Sequence, residues 1–312
     1  MGTVLGEVND IGSPRIALVT TAESAMVHGD PDQEFQDAAF LGAGVSCLYV
    51  AWEDASVDWE SFDLVIVRSP WNYTKRLAEF MQWLHDRSAM ANFHNSASLI
   101  AWNLDKHYLA ELAMGDVAVV PTTYADDADG LERALDRNPS AMVIVKPVTS
   151  AGSRLTGRFV TGSSAALDLG RQILAENLTV MIQPFAESVD SSGEIGTVVF
   201  DGSISHSFRK GPLLGDEGQL RGGEYREVIT PAELADDERS LVLRAHSVVR
   251  ELALGRGWLG SSGELLYGRY DIVRLDDGTP ALLEAELAEP SFFFGVDPDS
   301  AQRFVDAAVR RL

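Results

Sequence analysis

Three short, mostly apolar segments, of which the third is continuously apolar after its first residue, constrain the fold more than any other feature of the chain. They are Arg15–Thr20, Val45–Val50 and Asp63–Val67. A strand that is apolar throughout is typical of a parallel sheet covered on both faces, because such a strand has no solvent side. Asp30-Pro31 places a proline at the first position of a helix between the first two segments. The pattern predicts a parallel α/β layer.

A polar and aromatic stretch follows the third of these strands directly. It contains, within six residues, Arg68, Ser69, Trp71 and Tyr73. Ligands of parallel α/β sheets gather at the carboxyl ends of the strands. The stretch is therefore either a ligand-binding segment or a structural turn around a buried tryptophan. Thr74, which comes next, is predicted to cap a helix.

The middle of the chain predicts a second, smaller α/β unit. Asn103 is expected to cap a helix that carries Lys106. Beyond it, the pattern gives strands at Ala141–Lys146, at Phe159 and Val160, and at Thr179–Gln183, with helices near 130–135 and 165–177. This unit would stand between the parallel layer and the last third of the chain.

The last third of the chain is predicted to be antiparallel. Its strands are expected at Ile195–Phe200, Ile204–Arg209, Gly268–Leu275 and Pro280–Leu287. The segment Thr230-Pro-x-Glu233 reads as a capping box that begins a long helix with an apolar stripe. The turn Asp276-Asp-Gly278 is short enough to make the last two strands antiparallel neighbours.

Three carboxylates converge if those last two strands pair. Strand alternation places Arg269 and Asp271 on one face of the first strand. Glu284 and Glu286 share a face of the second strand, about 7 Å apart along it. Such carboxylates repel one another unless they are solvated, protonated or neutralised by a metal ion. Oxygen-only ligands favour magnesium, so the residues leave two alternatives, a magnesium site or a solvated acidic face.

Two lysines suit the binding of a phosphate chain. Lys146 ends a strand and is followed by a loop of small residues, and Lys106 stands near the start of a helix. Lysine amines and the backbone N–H groups of such a loop bind phosphate, but both lysines also fit solvated surface positions. The apolar strand that ends in Gln183 and Phe185 is similarly open to two interpretations, an adenine contact or an edge of the core.

The amino-acid composition limits the classes of partner that we expect the protein to bind. The net charge of −22, from 25 basic and 47 acidic residues, disfavours nucleic acids and anionic membranes. No apolar run approaches the roughly 18 residues of a membrane span, and the N-terminus lacks the features of a secretory signal. The one cysteine, Cys47, forms no internal disulfide and is expected to be buried and inert. We expect a cytoplasmic protein without nucleic-acid or membrane partners.

The short motifs of common enzyme classes give little information about the function of this chain. Gly255-Arg-Gly-Trp-Leu-Gly260 matches a dinucleotide fingerprint in its letters but follows a helix rather than a strand. We interpret it as the loop that ends that helix. The sequence contains no Walker A motif, no Gly-x-Ser-x-Gly elbow and no His-Glu-x-x-His motif. Any chemistry must come from residues dispersed along the chain.

Taken in chain order, motifs between Arg15 and Leu312 resemble the ATP-grasp superfamily. These motifs are Asn103-Leu-Asp-Lys106, Val119-Val-Pro-Thr122, Val145-Lys-Pro147, Gln183-Pro-Phe185, Ser192-Gly-Glu194, Arg269-Tyr-Asp271 and Leu283-Glu-Ala-Glu-Leu-Ala-Glu-Pro-Ser291. The resemblance implies an α/β (α+β) ATP-grasp fold. In that fold an N-terminal parallel α/β domain, residues 1–102, precedes two subdomains, residues 103–184 and 185–312, that sandwich ATP.

The same resemblance implies roles for individual residues. The ATP-binding set would be Lys106 and Lys146 at the phosphates, Ser150, Gly152 and Ser153 in the loop over them, Gln183 and Phe185 at adenine, and Glu187 or Glu194 at the ribose. Asp271, Glu284 and Glu286 would bind two magnesium ions. Many members of the superfamily have asparagine in place of Glu286, so this chain carries an additional negative charge. Arg269 and Lys210 would be catalytic, with Arg269 stabilising charge on an acyl phosphate.

Within the superfamily the chain resembles the glutathione-synthetase-like group. Four segments, Arg68–Tyr73, Ser205–Lys210, Arg221–Gly223 and Glu289–Ser291, are most similar to the cyclo-ligases that form D-cycloserine from O-ureido-D-serine. This resemblance implies that the substrate contacts are Arg68, Ser69, Trp71, Tyr73, Arg221, Gly222, Gly223 and Ser291.

The activity implied is that of an ADP-forming ligase acting on a small amino-acid-like carboxylate. Such enzymes phosphorylate the carboxylate, and a nitrogen then attacks the acyl phosphate. Ring closure within one molecule is the expected outcome. Two alternatives stay open, an amide ligase that joins two molecules and a nucleotide-binding regulator without activity. A homodimer is a further open expectation.

Overall fold

The structure is a computed structural model that describes residues 14–22, 30–214 and 228–312. Within this part of the chain, three sheets follow one another in sequence order. The predicted substrate residues Arg221, Gly222 and Gly223 lie outside the described residues. None of the helices described combines the length and the apolar character that crossing a membrane requires.

The first sheet is parallel, as predicted from its apolar strands. The strands are β1 (Arg15–Thr20), β2 (Ser46–Ala51) and β3 (Leu64–Ser69), in the order β2-β1-β3, and the helices are α1 (Gln33–Ala43), α2 (Leu77–Arg87) and α3 (Ala97–Asn103). Ile16 and Leu18 pack with Phe40 on one side of β1. Ala17 and Val19 pack into an aromatic cluster on the other side. Both faces of the sheet are therefore buried.

The second sheet is antiparallel and follows the helix α4 (Tyr108–Met114). Its elements are β4 (Thr123–Ala125), α5 (Ala128–Asp136), β5 (Met142–Pro147), β6 (Gly157–Val160), α6 (Ser164–Ala175) and β7 (Val180–Pro184), with the strand order β4-β7-β5-β6. Leu131 of α5 and Ile173 of α6 pack with Val143 and Val145 on one face of the sheet. The opposite face is left to the candidate site.

The third sheet has five antiparallel strands among the described residues. Its elements are α7 (Ser188–Ser192), β8 (Glu194–Phe200), β9 (Ser203–Lys210), β10 (Ile229–Pro231), α8 (Asp236–Gly255), β11 (Tyr267–Arg274), β12 (Pro280–Glu286) and α9 (Ser300–Val309), with the strand order β10-β9-β8-β11-β12. The apolar side of α8 packs in one core with Tyr270 and Leu282. Phe200 and Phe304 share a second core with Ile16 of the first sheet. The end of β3 lies beside the segment that follows β12, since the hydroxyl of Tyr267 is within hydrogen-bond distance of both Val67 O and Ala288 O, at 3.0 and 2.8 Å.

Several predicted helix starts are wrong. Pro31 precedes α1, which begins at Gln33, and Thr74 lies in a short 3-10 helix (Trp71–Lys75) before α2. Asn103 ends α3 instead of beginning a helix. Thr230 belongs to β10, and α8 begins only at Asp236. The expected loop after Gly255 is confirmed, since α8 ends there.

Two of these errors have a clear physical cause in partners that are distant in sequence. The amide of Asn103 donates to Ala285 O at 2.8 Å and accepts from Leu287 N at 2.7 Å. Thr230 is paired with Arg209 of β9, and the N-terminus of α8 is instead closed by Glu238, whose side chain accepts from Ala235 N at 2.9 Å. A capping pattern in the sequence does not exclude these competing partners.

Candidate functional site

The strands β11 and β12 bring the three predicted metal ligands together. Their antiparallel register places Asp271 opposite Glu284 and Arg269 opposite Glu286. Carboxylate oxygens of Asp271, Glu284 and Glu286 lie within 4.8 Å of one another. The segment containing Glu284 and Glu286 is thus a strand, as its position after a tight turn predicted.

Asp271 is held from two sides by cations. Arg269 donates from Nε and Nη2 to the two oxygens of Asp271, at 3.0 and 2.9 Å, and also contacts Glu286. Lys210 Nζ donates to Asp271 Oδ2 at 2.7 Å and lies 3.2 Å from Glu194. Burial would raise the pKa of Asp271, but Arg269 and Lys210 outweigh it and hold that pKa below its ordinary value. Asp271 is therefore ionised inside the protein.

Glu284 faces the two predicted phosphate-binding lysines. Lys106 Nζ lies 3.6 Å from Glu284 and donates to Ser150 O at 3.2 Å. Burial opposes ionisation of Glu284, but Lys106 and Lys146 lower its pKa below the ordinary value. Burial lowers the pKa of Lys146, which lies at the end of β5. The lysines therefore lie on the same side of the structure as the carboxylates.

Glu286 is the carboxylate of the cluster whose ionised form is least stabilised by its surroundings. Burial raises the pKa of Glu286 well above its ordinary value although Arg269 contacts it, and the negative charge of Glu284 adds to the rise. A divalent cation between these oxygens would offset the cost of burial and the repulsion from Glu284. Three converging carboxylates with no nitrogen or sulfur ligand are the donor set that magnesium prefers. The residues present fit magnesium.

The open face of the second sheet carries the predicted nucleotide contacts. Ile144 of β5 lies opposite Gln183 of β7 and Arg158 of β6, and Lys146 follows two residues later on the same face. Gln183 is 1% exposed and donates from Nε2 to Thr122 Oγ1 at 3.0 Å. Its Oε1 is buried and has no hydrogen-bond partner among the described residues. A buried acceptor without a partner fits an amino group such as that of adenine.

The other predicted nucleotide residues differ in their placement. The N–H of Phe185 donates to Met142 O at 3.0 Å and is therefore not free for an adenine contact, and its ring stacks under Arg158. Glu194 lies beside Lys210, whereas Glu187 is exposed at the start of α7. The geometry favours Glu194 over Glu187 as a residue of the site.

The loop after Lys146 reaches the lysine pair through Ser150. Ser150 O accepts from Lys106 Nζ, while Gly152 is exposed and Ser153 half-buried. Gly152 and Ser153 have positive φ angles of 59° and 55°. The chain therefore turns sharply beside the two lysines, and a side chain at Gly152 would strain that turn.

A row of side chains holds the segment that follows β12. Each backbone carbonyl from Leu287 to Phe292 accepts a hydrogen bond from a side chain. The donors are Asn95 for Leu287, Tyr267 for Ala288, Trp71 for Glu289, Arg68 for Pro290, Arg269 for Ser291 and His206 for Phe292, at 2.7 to 3.2 Å. We call residues 287–292 the clamped segment. Sequence patterns gave no indication of this arrangement, because the donors come from all parts of the chain.

The clamped segment changes the interpretation of the polar stretch after β3. Arg68 is 0% exposed, and its guanidinium donates to Gln36 Oε1 at 2.9 Å and to Asp32 Oδ2 at 3.2 Å. Ser69 is also buried and donates to Thr20 Oγ1 at 3.1 Å. Neither side chain has a surface for the predicted substrate contact. Arg68 instead holds the clamped segment in place through its hydrogen bond to Pro290 O.

Trp71 and Tyr73 reach the site through Glu289. Trp71 Nε1 donates to Glu289 O at 3.2 Å, and Tyr73 Oη donates to Glu289 Oε1 at 2.6 Å. Burial raises the pKa of Glu289 above its ordinary value, although Tyr73 and the more distant Lys106 oppose the rise. The sequence placed Glu289 in a family-like motif but gave it no role. Ser291 is half-buried, and its carbonyl accepts from Arg269.

Comparisons with known proteins cover most of the chain. A family model described as the N-terminal domain of D-cycloserine synthetase DcsG matches residues 16–95. The cycloserine biosynthesis protein DcsG of Streptomyces lavendulae is 35% identical over 306 residues, which cover 95% of this chain and 98% of that protein. A crystal structure of D-cycloserine synthetase DcsG matches with a TM-score of 0.85 and 32% identity, over 96% of this chain and 100% of that one.

Two more distant matches concern the fold alone. The D-alanine–D-alanine ligase of Bacillus anthracis, in complex with ATP, matches with a TM-score of 0.69 at 12% identity, over 96% of this chain and 97% of that one. An ATP-grasp ligase, PsnB, complexed with a minimal precursor, matches with a TM-score of 0.63 at 18% identity, over 96% and 100% of the two chains. These matches confirm the predicted ATP-grasp fold.

Proposed function

The chain belongs to the DcsG family of ATP-grasp ligases, and from this premise we propose that it closes O-ureido-D-serine into D-cycloserine in an antibiotic pathway. The observation that carries the proposal is the pairing of Asp271 with Glu284 across β11 and β12, with Lys106 and Arg269 beside them. A ligase that phosphorylates a carboxylate needs these charges in one place.

ATP would lie between the second and third sheets, that is, between subdomains 103–184 and 185–312. Lys106 and Lys146 would hold its phosphates, Gln183 and the carbonyl of Phe185 its adenine, and Glu194 its ribose. Asp271, Glu284 and Glu286 would hold two magnesium ions, which when bound supply positive charge to the transferring phosphoryl group. The buried acceptor on Gln183 and the convergence of the three carboxylates support these assignments.

Arg269 is the residue best placed to act on the activated carboxylate. It is held by Asp271 on one side and by the carbonyl of Ser291 on the other. A guanidinium fixed in this way stabilises negative charge as it develops, without reorganising. Lys210 fixes Asp271 from the opposite side and would add to the positive field.

The reaction has two stages at the carboxylate, phosphorylation and ring closure, and it also requires removal of the carbamoyl group. The substrate carboxylate takes the γ-phosphoryl group of ATP and releases ADP. The nitrogen bonded to the substrate's side-chain oxygen then attacks the acyl carbon, phosphate leaves, and the five-membered ring closes with loss of the nitrogen's proton. Atom balance requires one water molecule to remove the carbamoyl group as carbon dioxide and ammonia. The clamped segment would hold the substrate beside Arg269 during both stages.

The test is an ADP-release assay with magnesium, ATP and a panel of amino-acid carboxylates that includes O-ureido-D-serine. We expect O-ureido-D-serine to stimulate ADP release and mass spectrometry to show D-cycloserine with no second amine incorporated. A linear adduct that requires an added amine would instead identify an amide ligase. Absence of stimulation by O-ureido-D-serine, with ADP release on another acid, would overturn the substrate assignment.

A further inference from the structure

Glu289 is a fixed carboxylate at the edge of the site. Its backbone belongs to the clamped segment, and its carbonyl accepts from Trp71 Nε1 at 3.2 Å. Its side chain is half-buried and accepts from Tyr73 Oη at 2.6 Å, and Tyr73 is itself buried. Glu289 is therefore presented in one position before any ligand arrives.

Among the described residues, Glu289 differs from the other carboxylates of the site in having no cationic partner within 4.0 Å. Asp271 and Glu194 lie 2.7 and 3.2 Å from Lys210, and Glu284 lies 3.6 Å from Lys106. Glu286 contacts Arg269. Across residues 14–22, 30–214 and 228–312, no lysine, arginine or histidine nitrogen lies within 4.0 Å of Glu289. Its only side-chain partner there is the neutral hydroxyl of Tyr73.

The position of Glu289 relative to Arg269 suits the ammonium group of an α-amino acid. Arg269, which is placed to meet the reacting carboxylate, donates to Ser291 O at 3.0 Å, two residues from Glu289. In an α-amino acid, the ammonium group is separated from the carboxylate by one carbon atom. A half-buried carboxylate without a cation is costly, and an ammonium group next to the reacting carboxylate would supply a positive partner.

We infer that Glu289 binds the ammonium group of the substrate, and that it restricts this ligase to acids that carry an α-amino group. Tyr73 is the positioning residue that fixes one oxygen of the Glu289 carboxylate and leaves the other for the ligand. The inference rests on the proposed function, since it assumes that the activated group is the substrate's carboxylate.

The experiment compares an acid with its counterpart that lacks the amino group. The pair is O-ureido-D-serine and 3-(ureidooxy)propanoic acid, and kcat and KM for ADP release are measured with wild type, Glu289→Gln and the exposed control Glu233→Gln. We expect wild type and the control to prefer the amino acid. Glu289→Gln should lose roughly 10- to 100-fold in kcat/KM on the amino acid, mainly through KM, and little on its counterpart. The KM for ATP should not change.

A second variant separates recognition from a general structural role. Glu289→Asp keeps the negative charge with a shorter reach, so it should retain a preference for the amino acid at a raised KM. Equal losses on both acids in both variants would show that Glu289 serves folding or the reaction itself, and would overturn the inference. Equal use of the two acids by wild type would overturn it without any variant.

Failure of the proposed function gives a different result. If wild type releases ADP with another amino acid but not with O-ureido-D-serine, the ring-closure proposal fails. The same comparison is then made with that amino acid and its counterpart lacking the amino group. Loss of the preference in Glu289→Gln would still support ammonium binding, and an unchanged preference would overturn it.

Discussion

Asp271 lies directly opposite Glu284 in the antiparallel register of β11 and β12. The two carboxylates differ in their cations, because Asp271 is held by Arg269 and Lys210 whereas Glu284 faces Lys106. One strand pair thus connects the residues proposed to act on the substrate with those proposed to hold the phosphates.

Replacing Glu284 with glutamine should abolish magnesium-dependent turnover. The amide keeps the shape but removes the charge that would bind the metal and balance Lys106, so we expect kcat to fall by at least about 10²-fold. ADP release is measured across a magnesium titration. Asp277→Asn, in the exposed turn of the same hairpin, should behave like wild type. Wild-type turnover and magnesium dependence in Glu284→Gln would contradict the metal assignment.

Replacing Arg269 with lysine should lower turnover more than nucleotide binding. Lysine keeps the charge but loses the fixed geometry that joins Asp271 to the carbonyl of Ser291. We expect kcat to fall by about 10²- to 10³-fold with an ATP affinity close to that of wild type. Arg274→Lys, on the same strand and paired with Asp237, is the matched control. A loss confined to ATP affinity would argue against a role in the chemical step.

Removing Arg68 should destabilise the fold. In Arg68→Met, Asp32 stays buried without its cation, and such losses cost about 3–5 kcal/mol. The free energy of unfolding in urea measures the effect, and exposed Arg171→Met should cost no more than about 1 kcal/mol. Combining Arg68→Met with Asp32→Asn should cost less than the sum of the single changes. Unchanged stability in Arg68→Met would contradict a structural role for this pair.

Acid should destabilise the protein partly through His94. Burial, with a smaller contribution from the nearby charge of Arg311, lowers the pKa of His94 from 6.5 to about 4. Between these two values the unfolded chain binds a proton that the folded chain does not, so stability falls as the pH falls from 6.5 towards 4. His94→Gln should flatten the decline of Tm in this range, while His85→Gln on α2 should leave the slope unchanged. An equally steep decline in His94→Gln would refute this contribution.

Local sequence patterns predicted the structure correctly where a physical constraint acts over a few residues. The apolar strands β1 and β3 required a sheet covered on both faces, and the structure has one. The short turn at Asp276–Gly278 fixed the pairing of the last two strands and with it the meeting of Asp271 and Glu284. The domain boundaries and the ligand roles assigned to these residues stay predictions. Cys47 is half-buried, and burial raises its pKa to about 12, in keeping with the inert thiol expected.

Capping patterns were a poorer guide, because a cap is one of several partners that a polar side chain can take. Asn103 matched a helix start in the sequence but binds Ala285 and Leu287 of the last strand region instead. The free energy of such a buried pair of hydrogen bonds exceeds what a helix cap supplies at an exposed position. The choice depends on which strand lies beside the asparagine, and that is decided by packing.

The sequence by itself determined the order of the sheets and the strand that carries Glu284 and Glu286, because periodicity and short turns act locally. The tertiary structure brought Lys106 to 3.6 Å from Glu284, whereas in the sequence this lysine also fitted a solvated surface position. Only the tertiary structure decided what Arg68 does. At the end of a parallel strand it had the sequence signature of a ligand contact, yet Asp32, Gln36 and Pro290 surround it and leave it no exposed surface. The same packing clamps residues 287–292 and presents Glu289, because burying a guanidinium requires hydrogen-bond partners from segments that no local pattern connects.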